Sequence, residues 1–107
     1  MNNDDALYND LYHKAVDMQY KFHDFTEGVN DPHVHVLQNE IHQLIGDIRE
    51  RKDPQTLEGR IRTIQQQLSE GQHIPHPYIN YGHSDYLHSN YEHMRQNLRQ
   101  FETGQHY

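Results

Sequence analysis

The chain has 107 residues, a mean hydropathy of −1.16 and a formal charge of −7, with nine basic against sixteen acidic residues. That length suits one core rather than two, and the acidic balance argues against a general polyanion binder. Cysteine is absent, which excludes disulfides, thiolate metal sites and a cysteine nucleophile. No apolar run approaches the roughly 18 residues needed to span a bilayer. The start, MNNDDALYND, has neither the basic nor the apolar region of a signal peptide, so the expected location is the cytoplasm.

In the first segment Leu7, Leu11, Met18, Phe22 and Phe25 share one helical face, with Ala15 between Leu11 and Met18. The spacing predicts a helix over 3–26, capped by Asn3 or Asp4 and stopped by Gly28. Asp31 and Pro32 then give an N-cap followed by a first-turn proline. Val34, Leu37, Ile41, Leu44 and Ile48 follow at steps of 3, 4, 3 and 4, predicting a second helix over 32–52. Asp53 and Pro54 repeat the start signal, and the stripe Leu57, Ile61, Ile64, Leu68 predicts a third helix over 54–70, antiparallel to the second because the connection is so short. Residues 72–83, QHIPHPYINYGH, carry two prolines and no helical period, and read as an extended connector. Ser84 is the expected cap of a fourth helix over 84–102, with Leu87, Tyr91, Met94, Leu98 and Phe101 on its apolar side. The expected fold is therefore all-α: a single domain over 1–107, built as an antiparallel helical hairpin or an up-and-down bundle.

Chemistry is harder to find than architecture. Eleven histidines are dispersed along the chain, and His13 with Asp17 and His88 with Glu92 place a carboxylate one helical turn on. Neither the Glu-x-x-His repeat of di-iron bundles nor H-E-x-x-H is present, so neither a metal site nor any other cofactor is expected. His73, His76 and His83 lie in the connector among prolines and tyrosines, a composition that suits packing of amphipathic rings over a bundle better than ligation. Ser69, Ser84 and Ser89 are the only serines; none stands in G-x-S-x-G, and no glycine-rich phosphate loop occurs, so no catalytic residue is assigned.

Charge is polarised. The first 31 residues hold seven acids and two lysines, whereas Arg49, Arg51, Lys52, Arg60 and Arg62 fall within 14 residues. Asp47, Glu50, Asp53 and Glu58 interleave with that basic cluster, which predicts a mixed, salt-bridged tip rather than a nucleic-acid surface. Eight tyrosines are the remaining signal. Tyr8, Tyr12 and Val16 form a second apolar stripe beside the first on helix one, and Leu, Ile, Val and Phe together number only 22 of 107 residues. So lean a core favours added burial from outside. The sequence therefore predicts a non-catalytic protein acting by protein–protein association, as a homo-oligomer or with another protein in an accessory or regulatory role. Tyr8, Tyr12, Val16, Tyr78 and Tyr81 are its candidate contact residues. The alternatives are a histidine-rich metal- or pH-responsive protein and a small nucleic-acid-associated regulator.

Overall fold

The computed structural model describes residues 3–28, 30–71 and 81–102, in four helices: α1 (Asn3–Phe25), α2 (Pro32–Arg49), α3 (Pro54–Gly71) and α4 (Tyr81–Glu102). Consecutive helices pack on one another and α4 returns to α1, while neither diagonal pair is in contact among the described residues. Cross-helix pairs fix the directions. Asp5 meets Arg51, and Gln19 meets His42; Arg60 meets Asp47, and Gln67 meets His33; Glu58 meets Arg99, and Gln65 meets Glu92. Asp17 on α1 accepts from the Tyr86 hydroxyl on α4 (3.5 Å). Each neighbouring pair is antiparallel, and the molecule is an up-and-down bundle of four, elongated to 46 × 20 × 18 Å.

The same pairs place the apolar stripes level with one another. Leu11, Leu44, Leu57 and Leu98 share one level; Ala15, Ile41, Ile61 and Met94 the next; Met18, Leu37, Ile64 and Tyr91 the third; Phe22, Val34, Leu68 and Leu87 the fourth. All sixteen are buried. Steps of three and four residues in every helix are those of coiled-coil-like packing.

On α1 the buried row is Tyr8, Leu11, Ala15, Met18 and Phe22, with Leu7 and Phe25 only partly covered. The core axis thus passes nearer Tyr8 than Leu7, one residue round from the expected edge of the stripe. The helix ends as anticipated: the Thr26 hydroxyl and backbone N–H both donate to the Phe22 carbonyl, and Gly28 is left-handed at φ 80°. Asp31 caps α2 by accepting from the His33 N–H at 2.8 Å, and Asp53 caps α3 by accepting from the Thr56 N–H at 2.9 Å.

Two boundaries differ from expectation by more than one residue. Helix α2 stops at Arg49 rather than at 52, because Arg51 turns left-handed (φ 59°). Its N–H donates to the Ile48 carbonyl and that of Lys52 to the Asp47 carbonyl, both at 3.0 Å. This is a Schellman turn closed by an arginine where glycine is usual. Helix α4 begins at Tyr81, not Ser84, so Tyr81 to His83 belong to a helix rather than to the connector and Ser84 lies within the first turn. No proline follows Pro77, so no locked φ or missing N–H bars those residues from the helix.

Candidate functional site

The helix seams are closed in different ways. Between α2 and α3, Arg60 joins Glu40 (3.1 Å) to the buried Asp47 (3.2 Å), while Lys52 approaches Asp47 from the turn at 3.8 Å. Burial by itself would lower the basicity of Arg60, but the two carboxylates outweigh it and its pKa is raised. At the far end of this seam the His33 ring donates from Nε2 to the Gln67 carbonyl at 2.6 Å; a carbonyl only accepts, so that nitrogen carries the hydrogen. Between α3 and α4, Glu58 receives Arg95 and Arg99 (3.5 and 3.1 Å), and Gln65 links Arg95 to Glu92. Both seams carry branched polar networks, and the α3–α4 seam also holds an open cleft of about 380 Å³ lined by Gln65, His88, Ser89, Glu92, His93 and Gln96.

The seam between α1 and α2 has no such network. Asp5–Arg51 (2.7 Å) ties one end and Gln19–His42 (3.1 Å) the other half, and two open clefts lie along it. The first, about 390 Å³, has Phe22 and Ile41 at its floor and Gln19, Tyr20, His23, Gln38 and His42 around it. The second, about 310 Å³, is formed by Tyr8, Asn9, Tyr12, Ile48, Arg49 and Arg51. Tyr20, 66% exposed, is the most exposed large hydrophobic side chain among the described residues. In the second cleft the Arg51 guanidinium lies 5.1 Å over the Tyr8 ring, a cation–π contact held by the Asp5 ion pair. Arg49 beside it is exposed and pairs with no described acid.

The sequence-predicted contact residues divide accordingly. Tyr8 is a core residue, 7% exposed, its hydroxyl donating to the Lys52 carbonyl, and it is not available as surface. Tyr12 and Val16 pack against the core with one side covered, and Tyr12 lines the second cleft. The second stripe of α1 is thus the flank of the α1–α2 seam. Tyr78 lies outside the described residues, and of Tyr81 only its place in the first turn of α4 is described. Tyr20 was missed although it continues the second stripe four residues after Val16; only the placement of α2 reveals that it stands beside a groove.

The other candidates are dispersed. His13 packs edge-on to the Tyr12 ring, while Asp17 engages Tyr86 and Glu92 engages Arg95. No group of three or more His, Asp or Glu side chains among the described residues could hold a metal ion. One contact of hydroxyl-to-imidazole type occurs among the described residues, Ser69 Oγ to His88 Nε2 at 3.4 Å, beyond the reach expected of a nucleophile and its base. Burial lowers the His88 pKa, and nearby Asp85 opposes this. The acidic start of α1 lies alongside the basic tip of its own molecule, so Asp5 and Arg51 neutralise one another in cis. None of the described helices is long and apolar enough to cross a membrane. No family model, curated protein or solved structure matches the chain.

Proposed function

We propose that the chain is a non-catalytic association protein of the cytoplasm, an accessory or regulatory component that self-associates through its α1–α2 face. The observation that carries this reading is the make-up of the α1–α2 seam. That seam carries no branched charge network, and along it lie two clefts, the exposed Tyr20 ring and the half-covered Tyr12 and Val16. Aromatic side chains over an apolar floor with a polar rim are the composition of docking surfaces. The lean core points the same way, since association adds burial that one copy lacks.

Sedimentation equilibrium tests it. At high micromolar concentration the expected mass is a multiple of 12.9 kDa, and Tyr20→Glu is expected to return the monomer with its helical circular dichroism unchanged. A wild-type chain that stays at 12.9 kDa overturns the proposal.

A further inference from the structure

We infer that the 310 Å³ cleft at the basic end of the α1–α2 seam is a binding site for a small aromatic anion, a single ring bearing a carboxylate or a phosphate. The inference goes beyond the self-association reading and does not depend on it.

In a chain of formal charge −7, this cleft is lined by two guanidiniums, Arg49 and Arg51, and by no carboxylate. The 390 Å³ cleft of the same seam has neither arginine nor lysine in its lining, and the α3–α4 cleft includes Glu92. Asp5 already answers Arg51 at 2.7 Å. Arg49 is exposed and pairs with no described acid, and Glu50, next to it in sequence, is outside the lining. A guanidinium left over in this way offers a planar fork of donors that matches the oxygens of a carboxylate or phosphate. Because one of the two cations is matched within the chain, one anionic group balances the cleft.

Arg51 supplies an independent observation. It closes α2 in the left-handed conformation, φ 59°, which glycine adopts without strain, and its exposed ion pair with Asp5 returns little stability. The turn therefore does not call for an arginine. What arginine brings and glycine lacks is a guanidinium 5.1 Å over the Tyr8 ring, half exposed at the wall of the cleft. Backbone strain kept for the sake of a side chain is a mark of binding sites. A planar cation backed by one aromatic ring can receive a second ring on its open side.

Size limits the ligand. The cleft stands at the small end of the roughly 300–1,000 Å³ of small-molecule sites, which suits one substituted ring. Ile48 and Tyr8 lie buried beneath it, Tyr12 is half covered at its side, and the exposed Asn9 amide is a further donor to an oxyanion.

Amide chemical-shift mapping tests the site, with phenyl phosphate and benzoate as probes, benzyl alcohol as the uncharged ring and inorganic phosphate as the anion without a ring. The titration is run on the chain diluted until sedimentation reports a monomer, so that a second copy does not occlude the cleft. The aromatic anions are expected to shift the amides of residues 8–12 and 48–51 saturably at millimolar concentration, the tighter of the two naming the anionic group, while either control binds more weakly. Arg49→Gln is expected to weaken the tighter probe about tenfold, equivalent to about 1.4 kcal/mol. Arg62→Gln removes the same charge from an exposed position of α3 outside the cleft and is expected to leave binding unchanged. Circular dichroism checks that both variants keep their helicity. Absence of shifts at those amides with either aromatic anion, equal binding of benzyl alcohol or inorganic phosphate, or equal weakening by the two arginine variants overturns the inference. None of these outcomes bears on association at higher concentration, which sedimentation reads separately.

Discussion

Tyr91 is fully enclosed in the bundle, and its hydroxyl has no hydrogen-bond partner among the described residues. Burial pushes its phenol pKa well up, since the charged form has nothing to solvate it. Because an unpaired buried hydroxyl costs about 1–3 kcal/mol, Tyr91→Phe is expected to leave the fold intact and raise stability by about 1 kcal/mol, read by urea denaturation. Arg51 makes a second residue-scale case. Its left-handed backbone costs about 1 kcal/mol relative to glycine, while its ion pair with Asp5 is exposed and worth little. Arg51→Ala keeps the strain and loses the contacts; Arg51→Gly loses the contacts and the strain. The glycine variant is expected to be the more stable of the two by about 1 kcal/mol in thermal or chemical denaturation. His88 sets a pH dependence. Burial holds its folded pKa below the unfolded value, so the unfolded chain takes up the proton first and stability falls as pH drops below about 6.5. His88→Gln is expected to flatten that part of the stability profile, and an unchanged slope would assign it to other histidines.

At the scale of elements, each helix carries an uninterrupted seam of steps of three and four, and two of them carry a glycine that nothing requires. A Cβ added at Gly46 or Gly59 meets no atom within 4 Å. Both backbones are helical, so alanine there is expected to raise stability by about 0.5–1 kcal/mol each. Gly28→Ala should do the opposite, since its φ of 80° strains any side chain even though the space is open. Opposite signs at these positions, measured as melting temperatures, would separate helix propensity from turn geometry. In the middle of the bundle Ile61 is 1% exposed and level with Ala15, Ile41 and Met94. Ile61→Asp places an unpaired charge there, and the expected loss of several kcal/mol is of the order of the stability of a small domain. Circular dichroism should report an unfolded chain.

For the whole molecule, the eleven histidines dominate the response to acid. Their full protonation takes the formal charge from −7 to about +4, passing through neutrality near the pI of 5.8. The net charge changes sign over that range, so light scattering is expected to change between about pH 7 and 5. A flat trace would leave the histidines with no part in association.

How far the sequence alone reached follows from the range of the forces involved. Helix number, the caps at Asp31 and Asp53, the stop at Gly28 and the buried rows of α2, α3 and α4 were all legible, because capping, proline geometry and the 3.6-residue period act within a few residues. The end of α2 was not, since a left-handed Arg51 carries no local signal of the kind glycine gives. Nor was the fate of the second α1 stripe. Whether Tyr8 is core and Tyr20 surface depends on the angle at which α2 meets α1, and a stripe two residues wide is compatible with either. The bundle topology, the charge networks of the α2–α3 and α3–α4 seams and the clefts of the α1–α2 seam arise between residues as far apart in sequence as Asp5 and Arg51. Only packing of the four apolar rows against one another brings them together.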